Sequence, residues 1–151
     1  MKHTLSTRLE IPLPVDKVFE FFATAENLQR LTPPELQFRI LTPKPIELRQ
    51  GALIDYQLGL FGLKFRWKTE ITNWDPPHQF IDVQLRGPYR EWIHTHRFIP
   101  TSKGTAILDD VQYQLPFSPL GDLAYPVVRL QLARIFGYRQ TAVRRLLLSE
   151  T

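Results

Sequence analysis

From His3 to Ile11 apolar and polar residues alternate, with Leu5, Leu9 and Ile11 on one side and Ser6, Arg8 and Glu10 on the other. That period of two is the pattern of a half-buried strand. Pro12 and Pro14 end it. The spacing then becomes helical, because Val15, Val18, Phe19 and Phe22 share one face and Pro14 fits the first turn without losing a needed donor. A second short helix is expected around Leu28 and Leu31. Thr32-Pro33-Pro34 closes it, since the residue before a proline is driven out of helical backbone.

From there to Leu115 the chain reads as successive strands: Phe38 to Ile40, Ile54 to Leu58, Phe65 to Ile71, Phe80 to Leu85, Trp92 to Phe98 and Ile107 to Leu115. Gly51, Gly62, Pro76-Pro77, Gly87-Pro88 and Gly104 punctuate them, and such short connections predict an antiparallel meander. In the clearest segment Phe65, Trp67, Thr69 and Ile71 share one face, and Lys64, Arg66, Lys68 and Glu70 the other. After Ser118-Pro119 the period is again helical. A helix from Pro126 to Leu148 would be roughly 34 Å long. Val128, Leu132, Ile135, Phe136, Ala142, Val143 and Leu146 form its apolar face, while Arg129, Gln140, Arg144 and Arg145 fall away. A long helix with an apolar stripe needs a sheet to lie on, so the order predicts an α+β fold.

Composition narrows the function more than the fold. The chain has 151 residues, enough for one domain spanning 1–151 with a cavity on the order of a few hundred Å³. There is no cysteine, which excludes disulfide scaffolds, thiolate metal sites and a thiol nucleophile, and fits a reducing, cytoplasmic location. No signal-peptide pattern or membrane-length apolar run is present. The net charge of +4 comes from Lys and Arg spread among acids rather than gathered in a patch, so nucleic acid is not expected as a partner. A monomer or weak homodimer is expected.

The element order, with Trp74-Asp75-Pro76-Pro77, Phe80-Ile81-Asp82-Val83-Gln84, Gly87-Pro88-Tyr89, Trp92-Ile93-His94-Thr95-His96-Arg97-Phe98, Asp109-Asp110-Val111-Gln112-Tyr113 and Ile135-Phe136-Gly137-Tyr138-Arg139, resembles the START-like (SRPBCC, Bet v 1-like) superfamily, and within it the cyclase/dehydrase-like ligand-binding group. The resemblance spans nearly the whole chain. It implies a helix-grip fold: a curved antiparallel β-sheet around a long C-terminal α-helix, two short helices after the first strand, and a deep apolar cavity between sheet and helix. It implies less about activity, because lipid carriers, hormone receptors, polyketide cyclases and chaperone activators share the scaffold.

Polar residues at apolar positions carry the chemistry. His94 and His96 share a strand face with Trp92 and Phe98, so both imidazoles are expected inside. If Thr101 to Gly104 form the hairpin loop, residue i faces residue 205 minus i. Phe98 then meets Ile107, His96 meets Asp109, His94 meets Val111 and Trp92 meets Tyr113. This predicts a structural His96–Asp109 pair. His-x-His is also a zinc-ligand spacing, but with four histidines, no cysteine and no zincin motif, neither metal nor cofactor is expected.

Arg139 sits in the apolar stripe of the terminal helix and needs a counter-charge, either Asp82 or Asp109 or an anionic ligand group. For Asp82 and Gln84 the strand has two readings. Its own periodicity puts Ile81, Val83 and Leu85 inside. A three-residue Gly87-Pro88-Tyr89 loop instead sets Gln84 against Trp92 and Asp82 against His94, the arrangement the resemblance favours.

No nucleophile elbow, phosphate loop or dinucleotide glycine pattern is present. The leading expectation is a carrier or sensor that binds a hydrophobic or aromatic small molecule such as a lipid, polyketide or isoprenoid. Tyr56, Trp67, Trp92, Tyr113 and Phe136 would supply apolar contact, and Asp82, Gln84, His94, His96 and Arg139 the polar end. Two alternatives stand beside it. One is a cofactor-free cyclase or dehydratase using His94 or His96 as base with Asp109 or Asp82 behind it. The other is a partner-binding module, which predicts a filled core and an exposed apolar patch.

Overall fold

The computed structural model describes residues 1–149; residues 150 and 151, the end of the expected 1–151 domain, lie outside the description. Seven strands form one antiparallel sheet: β1 (Lys2–Ile11), β2 (Arg39–Ile40), β3 (Leu53–Leu60), β4 (Leu63–Asp75), β5 (Gln79–Arg86), β6 (Glu91–Thr101) and β7 (Gly104–Gln114), in the order β1-β7-β6-β5-β4-β3-β2. Helices α1 (Val15–Phe22) and α2 (Asn27–Arg30) and a 3-10 turn (Pro34–Leu36) connect β1 to β2. A second 3-10 turn (Leu120–Ala124) leads into the long α3 (Tyr125–Ser149). The expected helix-grip architecture is present.

The elements arise where the pattern put them. In α1 Val18, Phe19, Phe21 and Phe22 are buried, and the Pro14 carbonyl accepts from the amides of Lys17 and Val18. β3 and β4 meet in a two-residue turn at Phe61-Gly62, both at positive φ (53° and 78°). Such a pair matches the twist of a hairpin, and glycine supplies the second position without steric cost. Register shifts at Lys68/Thr69 and Ile71/Asn73 interrupt the β4–β5 ladder, and irregularities of this kind bend a strand and help curve the sheet.

The concave face holds two packed clusters. One groups Val18, Phe19, Phe22, Phe80, Phe98 and Ile107 with Val143 and Leu147 of α3. The other groups Leu58, Leu60, Trp67, Trp92, Val111 and Tyr113 with Val128, Leu132 and Phe136.

Of the two readings of β5 the structure has the one set by its loop, and two other details differ from the sequence reading. Phe80 is buried while Leu85 is 51% exposed, so β5 presents Phe80, Asp82 and Gln84 inward, against its own periodicity. Pairing fixes the phase: Asp82 lies opposite His94 and Phe80 opposite His96, and a one-residue slip would turn every β5 side chain over. In α3 Leu147 joins the buried face, whereas Leu146 packs only partly buried at its edge. The outer side of the first turns is also apolar, with Val127 and Leu130 exposed beside Phe117, Leu120 and Leu123 of the preceding segment.

Phe98 is 1% exposed and rings of Phe19, Phe22 and Phe80 surround it. Phe98→Ala removes a ring from a site walled by rigid neighbours and is expected to cost about 3–5 kcal/mol of unfolding free energy, read as a lowered urea midpoint at unchanged slope.

Candidate functional site

A cavity of about 170 Å³ lies between the concave sheet face, α1, α2, the Pro34–Leu36 turn and α3. It is smaller than the few hundred Å³ expected, because Tyr56, Trp67, Trp92 and Phe136 project into the space from three strands and the helix. Tyr56 and Trp67, paired across β3 and β4, stack at 5.7 Å, and Trp92 meets the Trp67 ring edge-on at 5.3 Å. The rest of the wall is mainly aliphatic, with Leu28, Leu31, Leu36, Leu132 and Ile135 among it. One end is polar: Asp82, His94, His96 and Arg139.

These four meet a fifth group, Asp109, in a buried cluster. The predicted register holds, His96 opposite Asp109 and His94 opposite Val111. The side chains, however, pair diagonally. His94 Nε2 donates to Asp109 Oδ1 at 2.8 Å and His96 Nε2 to Asp82 Oδ2 at 2.5 Å. The expected His96–Asp109 pair is the longer contact, 3.4 Å from Nδ1 to Oδ1. Arg139 reaches in from α3 with Nη2 3.5 Å from Asp109 Oδ1 and 3.4 Å from His96 Nδ1. Its counter-charge is thus Asp109, one of the two carboxylates expected. The two imidazoles stack at 3.6 Å, and the Phe80 ring stacks on His96 at 4.0 Å.

The electrostatics follow from this geometry. Burial pulls the Asp109 carboxyl upward, but the Arg139 charge and the hydrogen bonds from His94 and His96 outweigh it and hold it well below the usual carboxylate range. Burial likewise opposes ionisation of Asp82, and the hydrogen bond and charge of His96, with the charges of His94 and Arg139, still keep it low. The histidines move apart. Burial and the neighbouring His96 charge push His94 down despite its bond to Asp109, whereas on His96 the bonds to Asp109 and Asp82 overcome burial and push it up. Below the raised His96 value, two ionised carboxylates thus face one guanidinium and one imidazolium, and the cluster is neutral. Burial, then the Asp82 charge, raises Tyr56 far enough that its phenol stays protonated.

Not every expected residue reaches the cavity. Gln84 turns to its own loop, donating to the Tyr89 carbonyl at 2.7 Å and accepting from the Tyr89 amide at 3.1 Å. Tyr113, 2% exposed, packs against Trp92, Tyr89 and His3. Asp109 stands behind the histidines. Sequence reading passed over Leu28, Leu31, Leu36 and Ile135 as wall residues. Leu28 and Leu31 carried a helical spacing, but a four-residue helix and a 3-10 turn have too little periodicity to show which way they face.

Asp82, His94 and His96 offer ligand atoms within 4.8 Å of one another, the residue types of a two-histidine, one-carboxylate metal site. A dication there would have to displace the proton that His96 shares with Asp82, beside the Arg139 guanidinium. The protonated cluster therefore already supplies the positive charge that a metal would bring.

Arg139→Met strands a buried carboxylate and is expected to cost about 3–5 kcal/mol, with much of the loss recovered when Asp109→Asn is added. Chemical denaturation of the two variants checks this. Ring-proton NMR titration is expected to place His94 below and His96 above the ordinary histidine range. Because the folded His96 value is raised, its stabilisation is full below the unfolded value of about 6.5 and is lost as pH rises through the folded one. The stability gap between wild type and His96→Gln should therefore be widest below pH of about 6.5 and narrow as pH rises through the folded His96 value.

Residues 11–135 match the family model described as polyketide cyclase / dehydrase and lipid transport. Among solved structures, the protein TTHA0849 from Thermus thermophilus is similar at 17% identity and a TM-score of 0.71, covering 100% of this chain and 99% of its own. A norcoclaurine synthase point mutant from Thalictrum flavum, in complex with a transition-state analogue, matches at 16% identity and a TM-score of 0.71, covering 99% and 96%. A nucleoside-diphosphate sugar epimerase from Corynebacterium glutamicum matches at 28% identity and a TM-score of 0.66, over 93% of this chain and 28% of that one. No curated protein matches the sequence. A Bet v 1-like sheet gripping a C-terminal helix, with the family match over most of its length, settles the relationship: the chain belongs to the polyketide cyclase/dehydrase and lipid transport family.

Proposed function

We propose that the protein binds a hydrophobic small molecule, as a carrier or sensor, in the cavity between sheet and α3. The observation that carries this is the cavity itself, aromatic and aliphatic along its length and ending in a cluster of orienting polar groups, the make-up of small-molecule sites in general. A volume of about 170 Å³ lies below the roughly 300–1,000 Å³ typical of drug-sized ligands, so the fitting occupant is compact. Trp67 Nε1 and Arg139 Nε add support, being buried without an acceptor among the described residues on side chains that line the cavity. Such N–H groups are costly to leave unmade, and a ligand oxygen relieves the cost. Tyr56, Trp67, Trp92 and Phe136 would hold the apolar body, and Asp82, His94, His96 and Arg139 its polar end.

The partner-binding alternative expects a filled core, which the cavity opposes, although the exposed strip from Phe117 to Leu130 fits its other expectation. The cyclase or dehydratase alternative needs a histidine nitrogen that reaches substrate. His96 does not qualify, since both its nitrogens face the cluster. His94 keeps one nitrogen out of it.

Native mass spectrometry of gently purified protein, followed by denaturing extraction, is expected to release a stoichiometric apolar compound. Leu132→Trp, which fills the cavity from α3, should abolish that adduct while the far-ultraviolet circular dichroism is kept. An adduct that survives Leu132→Trp would place the ligand elsewhere.

A further inference from the structure

The polar cluster is matched in charge, yet one of its imidazole nitrogens has no partner among the described residues. Asp82 and Asp109 are matched by protonated His96 and by Arg139, within the distances given above. An anionic ligand brought against this end adds an uncompensated negative charge inside an apolar cavity, which is costly. Arg139 is not vacant, because Asp109 already holds it. A carboxylate or phosphate headgroup would have to compete with Asp109 for the one guanidinium.

The open acceptor on an uncharged group is on His94. Its Nε2 points at an ionised carboxylate, which can only accept, so Nε2 carries the proton and Nδ1 the lone pair. Nδ1 has no hydrogen-bond partner among the described residues; the nearest carboxylate oxygen, Asp82 Oδ2, is 3.9 Å away and is itself an acceptor. The depressed affinity of His94 for a second proton agrees with this tautomer. His94 also lines the cavity, with Phe136 at 5.6 Å and Trp92 edge-on at 6.5 Å, so a ring seated among these side chains brings its substituents to that nitrogen.

We infer that the ligand is an uncharged, compact, ring-bearing molecule that donates a hydroxyl, phenolic or enolic, to Nδ1 of His94, with Asp109 fixing that nitrogen as the acceptor. This rests on the cavity being a ligand site. A hydrocarbon or an ether of the same shape leaves Nδ1 without a donor. A carboxylate of the same shape violates the charge balance. The hydroxyl does neither, and Asp109 behind the imidazole strengthens the bond by polarising the ring.

The test compares three two-ring probes that differ in one substituent: 2-naphthol, 2-methoxynaphthalene and 2-naphthoate, titrated near neutral pH by tryptophan fluorescence and calorimetry. Wild type is expected to bind 2-naphthol about tenfold or more tighter than either of the others. His94→Phe should erase the preference over the methyl ether while leaving the ether's own affinity in place. His94→Gln, whose amide can donate to Asp109 and still accept from the ligand, should keep most of it, and it decides the matter if His94→Phe does not fold. Equal binding of naphthol and methyl ether to wild type, or tightest binding of naphthoate, overturns the inference and leaves the cavity reading standing. Binding of none of the three overturns both.

Discussion

The pairing of Arg139 with Asp109 is the constraint on which the rest of the arrangement depends. A guanidinium in the apolar stripe of a helix is tolerated only where a counter-charge waits, because an unpaired buried charge costs several kcal/mol. Apolar faces alone would let α3 slide on the sheet, since leucine, valine and phenylalanine are nearly interchangeable as packing partners over a turn. A shift of one turn moves a side chain by about 5.4 Å. At 3.5 Å from Asp109, Arg139 has no such latitude. The charge pair therefore sets where along the sheet the helix lies, and with it which helix residues, Leu132, Ile135 and Phe136, close the cavity.

The same pair organises the core into two halves of different character. Toward α1 the aromatic cluster around Phe19, Phe80 and Phe98 is closely packed, and Phe80 lies flat on His96. Toward the other end the rings of Tyr56, Trp67 and Trp92 stand around empty space, and Phe136 approaches His94. The charged cluster sits where the halves meet. Strand β5 is the hinge of this division, because its inner face carries Phe80 for one side and Asp82 for the cluster. Its partly buried outer face explains why it has apolar residues on both sides and why its own periodicity misled.

What could be read from the sequence follows the same physical lines. A hairpin with a short loop fixes register by counting, so the pairs of β6 with β7, and of Asp82 with His94, were legible once the loops were recognised. An arginine in an apolar stripe announced a buried counter-charge, and Arg139 is 8% exposed. Register, though, places Cβ atoms and not side-chain tips. Whether His94 or His96 takes Asp109 depends on rotamers, and the diagonal choice reverses the pair expected from direct opposition. Nor could counting show that Gln84, correctly placed on the inner face, spends both ends of its amide on the Tyr89 backbone. The cavity wall from α2 and the Pro34–Leu36 turn was hidden for a different reason, since such short elements are oriented by the tertiary packing they join.

The split between the two histidines ties the core's stability to what the cavity can receive. Rings stacked at 3.6 Å cannot both hold a charge cheaply, and the two carboxylates decide between them. His96, with one carboxylate at each nitrogen, is the imidazole best placed to keep the shared proton. His94, with a carboxylate at one nitrogen only, stays neutral and retains a lone pair. Had Asp82 closed the 3.9 Å gap to hydrogen-bonding distance from His94 instead, both nitrogens of that ring would be engaged and the imidazole would have no acceptor to offer the cavity. The diagonal pairing that sequence reasoning missed is thus what leaves one nitrogen unpaired beside the cavity while every formal charge in the cluster is matched.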